Sequence, residues 1–240
     1  MQRLILAYKN FAANKNISHI GLGVAALNTC KVLRRENIAA EVWPVASPVE
    51  LGERLKEQPA SHVVVSAPWM PTLEMHRLVA AYPNTRLAVN CHSNVGFLQA
   101  DANGVTLVRE AMEIEAATPN FHLSGNSLKF CKWVRSAYSR PCAYLPNLYY
   151  LDNSFVPAPP LYNADGIAEG VPSVVSHAID WVPEHWKAMM DNVLDIARVG
   201  RYLLTDPYAP QEGREALKEH NSDGIKAWKE FLSVNYSASN

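Results

Sequence analysis

Between Arg3 and Asn147 the chain alternates short, near-continuous apolar runs with segments of helical period, and few folds accept that pattern. "RLILAY" (3–8), "AAEVWPV" (39–45), "HVVVSA" (62–67), "RLAVNC" (86–91), "NFHLSG" (120–125) and "CAYLPN" (142–147) read as strands. Strands without polar alternation are buried on both faces, which favours parallel pairing through helical crossovers. The helical segments fall at 22–37, from 48 onward, at 72–82, 95–116 and 127–138. Ser47-Pro48-Val49-Glu50 predicts a helix start with Ser as N-cap, and Thr72 is expected to cap the next helix. The expected architecture is therefore α/β, a doubly wound, Rossmann-like parallel sheet of about six strands over residues 1–148.

The pattern stops at Tyr149. "YYLDNSFVPAPPLY" has three prolines and no period, so 149–160 reads as a linker. Beyond it, 161–240 predicts a helix at 162–169, a strand at 172–176, a helix at 187–205, and one or two more over 211–234. One strand cannot make a sheet, so this segment is expected to dock on the first domain or to pair elsewhere.

Composition narrows the function classes. A formal net charge of -1 with no basic run gives no electrostatic footprint for nucleic acid. No apolar run is long enough to span a bilayer, and "MQRLILAYKNF" lacks the features of a signal peptide, so a cytoplasmic location is expected. Cys30, Cys91, Cys131 and Cys142 have no metal-ligand spacing and read as unpaired core thiols in a reducing compartment. No metal site is expected.

Several residues carry candidate chemistry. Gly21-Leu22-Gly23-Val24-Ala25-Ala26 matches the G-x-G-x-x-A pattern, in which backbone approaches a phosphate at a helix N-terminus. Twelve residues separate it from the first strand, and no acid ends the second strand, which argues against NAD. A loop lining a cleft, or close packing, are the other readings of Gly21 and Gly23. His92 in "NCHSN" stands at a strand's carboxyl end, where open α/β sheets bind ligands. It either donates to a substrate oxygen or is satisfied within its loop. Ser124 and Asn126 read as helix caps or ligand contacts, with capping favoured. Asp165, in the first turn of the 162–169 helix, either accepts from a ribose diol or favours the helix dipole. No G-x-S-x-G elbow supports a serine triad.

In order, "HIGLGVAALNTCKVLRREN", "LAVNCHSNVGF", "NFHLSGNSLKFCKWVRSAYSRPCAYLPNLYY", "ADGIAEGVPSVVSHAIDW", "DNVLDIARVGRYLLTDP" and "GIKAWKEFL" resemble segments of the GT-B glycosyltransferases, the retaining group 1 type. The resemblance covers nearly the whole chain. It implies two Rossmann-like domains facing a cleft, the second reduced here to a helical, one-strand remnant. It also implies a nucleotide-sugar donor and an unidentified acceptor as partners, transfer with retention, and no metal or other cofactor. His92 would contact the donor sugar, Gly21 and Gly23 would admit acceptor or phosphate, and Asp165 would hold the ribose. The family's first acid would fall at Pro157, and no lysine or arginine occurs between Arg140 and Lys187 to serve its diphosphate loop. That departure supports a rival expectation: a non-catalytic, shortened relative acting in binding or assembly, its half-domain completed in a homodimer.

Overall fold

The computed structural model describes residues 2–10, 20–151, 167, 168 and 170–233. The chain divides into two compact units, Met1–Asn147 with Lys226–Asn240, and Leu148–Ile225.

The first unit is built on β1 (Arg3–Lys9), β2 (Ala39–Val45), β3 (His62–Ser66), β4 (Arg86–Cys91), β5 (Phe121–Gly125) and β6 (Ala143–Tyr144). All neighbouring pairs are parallel, in the order β2-β1-β3-β4-β5-β6. The chain reverses direction across the sheet between β1 and β3, which makes that gap the topological switch point of a Rossmann-like domain. The helices are α1 (Ile20–Arg35), α2 (Pro48–Glu57), α3 (Thr72–Ala81), α4 (Val95–Ala100), α5 (Ala102–Ala117) and α6 (Leu128–Tyr138).

Local signals place several of these. Ser47 Oγ accepts from the Glu50 amide at 3.1 Å, and the Glu50 carboxylate accepts from the Ala46 amide at 2.7 Å, fixing the start of α2. Thr72, in contrast, is the first residue of α3 rather than its cap. Pro71 takes the cap position with no side-chain bond, and the Thr72 hydroxyl donates to Glu110 on α5 instead.

One sheet face carries Ile5, Ala7, Val63, Val65, Leu87, Val89, Phe121 and Leu123. It packs against Leu51, Leu55, Leu78, Val108 and Phe130 from α2, α3, α5 and α6. The opposite face carries Leu4, Leu6, Val64 and Ala88, all buried. Here the last turns of the C-terminal helix, α8 (Ala209–Ser233), supply buried Trp228, Phe231 and Leu232. Trp228 Nε1 donates to the Pro146 carbonyl at 2.9 Å, Arg86 donates to Phe231 O at 2.8 Å, and Gln2 donates to Leu232 O at 2.7 Å. The last two satisfy carbonyls that a helix end leaves without partners.

The second unit differs from the expectation of one strand followed by a helix from residue 187. Of the strand expected at 172–176, Val175–Ser176 (β7) is extended, and it pairs in parallel with a second short strand, Lys187–Ala188 (β8). A 3₁₀ turn, Glu184–Trp186, precedes β8, and α7 (Val193–Thr205) follows, its start capped by Asn192, which accepts from the Asp195 amide at 3.0 Å. The left-handed backbone at Asp191 (φ 64°) separates strand from helix. Of the helix expected at 162–169, Ile167 and Ala168 are described, and both are helical and buried. The core gathers these two with Val182, Trp186, Val199, Leu203 and Leu217. Asn221 holds the chain entering this unit: its amide accepts from Tyr149 N at 2.9 Å and donates to Tyr149 O at 2.6 Å.

Gly213 on α8 lets this core close. A Cβ there would lie 2.4 Å from Cη2 of the fully buried Trp186 and 3.2 Å from Ile167. Gly213→Ala would gain about 1 kcal/mol of helix propensity. Overpacking against a buried ring costs about 1–3 kcal/mol, so a net destabilisation of this unit is expected. Thermal unfolding followed by amide exchange in α7 checks it, and a raised midpoint would show that the Trp186 ring yields without cost.

Candidate functional site

The carboxyl ends of β1, β3, β4 and β5 lie side by side along the edge that flanks the switch point. Adjacent strands are about 4.8 Å apart, so these four ends span roughly 15 Å. Lys9 ends β1, and its ammonium stands 5.3 Å from the ring centroid of Trp69, which follows β3. Between β3 and Trp69, Ala67 takes a left-handed backbone (φ 68°), a conformation that costs a β-carbon residue on the order of 1 kcal/mol. The Ala67 amide donates to Asn90 O at 2.8 Å, which ties this turn to the end of β4.

His92 follows β4 directly. The registration Cys91↔Gly125 brings Asn126 beside it, and the Asn126 amide donates to Cys91 O at 3.1 Å. Asn126 Nδ2 lies 3.5 Å from His92 Nδ1. With the Asn126 amide in this orientation Nδ1 accepts the long contact, which assigns the ring proton to Nε2. The ring keeps some surface exposed, yet Nε2 is out of solvent and has no hydrogen-bond partner among the described residues. Burial pushes the His92 pKa down to about 4, so the imidazole is neutral near pH 7 and acts as a hydrogen-bond donor, not a cation. Trp69 Nε1 is likewise buried with no partner among the described residues. Two unanswered N–H donors and one cation thus occupy neighbouring strand ends. Such an edge suits an oxygen-rich, anionic ligand.

The other sequence-predicted residues are distributed differently. Gly21 and Gly23 lie inside the first turns of α1, which starts at Ile20, so the motif is not a loop leading into a helix. A Cβ on Gly21 would meet nothing within 4 Å, whereas one on Gly23 would come within 3.1 Å of the Tyr8 ring. Gly23 therefore permits close packing of α1 on β1, and steric need does not explain Gly21. Ser124 is fully buried and donates to Val89 O at 3.0 Å, and the cap of α6 is Ser127. Neither Ser124 nor Asn126 caps a helix: Ser124 ties β5 to β4, and Asn126 reaches His92. Asp165 lies outside the described residues.

Lys9 escapes a reading of the sequence, which marks Ser66-Ala67-Pro68-Trp69 as a neighbouring strand end but gives Ala67 and Trp69 no role. Lys9 and Trp69 are sixty positions apart and meet only because β1 and β3 pair; the aromatic after "HVVVSAP" was their one local hint. Among the described residues no group of three or more His, Cys, Asp or Glu side chains could hold a metal. A cleft of about 320 Å³ between α2 and α3, lined by Val49, Gly52, Arg77, Leu78 and Tyr82, lies along the helices and not at the strand ends. Comparison with protein-family models, with curated proteins and with solved structures finds no match.

Proposed function

We propose that this chain binds a nucleotide-sugar at the carboxyl edge of its parallel sheet, as a glycosyltransferase-like protein. The observation that carries the reading is the buried, unanswered Nε2–H of neutral His92 at the end of β4, oriented by Asn126. A neutral donor suits a sugar hydroxyl, and Lys9 beside Trp69 supplies positive charge on the same edge for a phosphate. In a transfer reaction with retention, the glycosyl–phosphate bond would ionise towards an oxocarbenium-like state, and electrostatic stabilisation of the leaving phosphate would be the chain's main contribution. Asp165 keeps the ribose role that the family resemblance implies.

A second reading, a non-catalytic binding protein, is favoured by one observation: no lysine or arginine occurs between Arg140 and Lys187. A diphosphate leaving group would lack the bidentate clamp that arginine provides.

Thermal-shift titration with UDP-, GDP- and ADP-sugars tests the common part of both readings. One donor is expected to raise the melting temperature by mass action. His92→Ala should weaken that donor by about tenfold, the loss of one buried hydrogen bond. No shift with any donor at millimolar concentration, in folded protein, would sink the nucleotide-sugar proposal. Binding without sugar transfer or donor hydrolysis would select the non-catalytic reading.

A further inference from the structure

All four cysteines are buried free thiols, but they are not equivalent. Cys131 is on α6 and Cys142 is one residue before β6, and their sulfurs lie 3.6 Å apart. The Cys142 thiol donates to Cys131 Sγ, and Cys131 also touches Ala143 O at 3.4 Å. Arg135 donates to the Cys142 carbonyl at 2.8 Å, which fixes the Cys142 backbone against α6. The corner joining α6 to Cys142 turns through a left-handed Ser139 (φ 53°). Cys30 and Cys91 instead face carbonyl oxygens, those of Ala40 and Ser93.

We propose that Cys131 and Cys142 form a reversible intramolecular disulfide, a redox modification site that fastens α6 to the β6 edge. A disulfide requires the sulfurs to close to about 2.0 Å, a shift of roughly 1.5 Å shared by two side chains. Cys131 is the attacking sulfur: the hydrogen bond from Cys142 holds its pKa below the usual thiol range, helped by Arg135 and opposed by burial. The same contact, with burial, pushes the Cys142 pKa up, which keeps that sulfur protonated. Cys91 is pushed up to about 12 by burial and stays an unreactive thiol.

The oxidant is a hydroperoxide, and hydrogen peroxide is the simplest. The Cys131 thiolate attacks one peroxide oxygen, the O–O bond breaks, and the departing oxygen takes a proton to leave as water. Cys131 is then a sulfenic acid. The Cys142 sulfur attacks it, the S–O bond breaks, and the hydroxyl leaves as water with the Cys142 proton. Two thiols and one peroxide thus give one disulfide and two waters. Both sulfurs are buried, so peroxide enters on local opening of the corner, where β6 contributes only two paired residues to the sheet edge.

Peptide mapping of the full chain after native peroxide treatment and denaturing alkylation tests this directly. Lys132 and Arg135 separate the two cysteines into different tryptic peptides. The expected product is a single cross-link between Cys131 and Cys142, reversed by dithiothreitol, with Cys30 and Cys91 alkylated. In Cys142→Ser, dimedone should label Cys131 instead. Four alkylated cysteines in the peroxide-treated wild type, or Cys131 sulfinic acid without a cross-link, would overturn the proposal.

Discussion

Replacing Trp228 with alanine is expected to cost the first unit about 3–5 kcal/mol, the range for deleting a buried aromatic side chain. Trp228 is 2% exposed, on the last turns of α8. Its indole does more than fill space. Nε1 donates to the Pro146 carbonyl at 2.9 Å, a bond made within the buried layer that covers the sheet face opposite α2 and α3. The substitution removes the apolar contact and leaves that carbonyl without its donor, and burying an unanswered polar group costs about 1–3 kcal/mol. Neighbouring residues would share the loss. Phe231 sits under the Arg86 guanidinium at 4.4 Å, edge-on to His62 at 5.8 Å and to His122 at 6.1 Å, and it keeps that place only while α8 stays docked. A chain of two units need not unfold in one step, so the measurement should be local. Amide exchange of β1, β3 and β4 in urea should show the lost protection, while exchange in α7 changes less. Unchanged protection of those strands would mean that the end of α8 adds little to the sheet domain.

How much of this was legible in the sequence depends on how far apart the partners lie. Five of the six strands were plain because a parallel sheet covered on both faces needs unbroken apolar runs, as in His62–Ser66, where every residue is buried. β6 was overestimated: a six-residue strand over 142–147 was expected, but this is an edge strand, paired on one side only, and just Ala143 and Tyr144 join the ladder. Strand order could not be read, because β1 pairs with β3 across more than fifty residues and nothing local encodes that. The second unit misled for a different reason. Two-residue strands such as β7 and β8 are too short to show a period, and β8 looked like the start of a helix. At the candidate site, His92 was visible from its place after an apolar run. Its partner was not, since Asn126 next to Ser127 resembles a cap, and only the register of β4 with β5 turns it towards the imidazole. Ala67 left no trace at all, because alanine is not a residue that marks a left-handed turn.

Acidification from about pH 7 to about pH 4 is expected to destabilise the first unit through His62, by roughly 3 kcal/mol. His62 is 3% exposed, with Nδ1 at 2.9 Å from Ser61 Oγ and its ring against Phe231. Burial, then the positive charges of Arg86 and His122 when protonated, lower its pKa from 6.5 to about 4. The unfolded chain takes up this proton near pH 6.5, and the folded chain resists it until about pH 4. Between those values the unfolded state binds more protons, so stability falls as pH falls, and above the window His62 has no effect. His92, whose pKa is also lowered to about 4, adds a loss of the same sign over the same window. Carboxylates act lower down: Glu41, held below its usual range by the Arg3 hydrogen bond, begins to lose that contribution only as pH falls into the ordinary carboxylate range, and the loss continues below it. Urea midpoints measured at closely spaced pH values should therefore begin to drop well before carboxylates titrate. His62→Leu keeps the ring's apolar contact with Phe231 in part and removes the proton site, so its midpoint should fall less steeply across the same window. An equal slope in wild type and variant would show that the acid sensitivity has another source than the imidazole beneath α8.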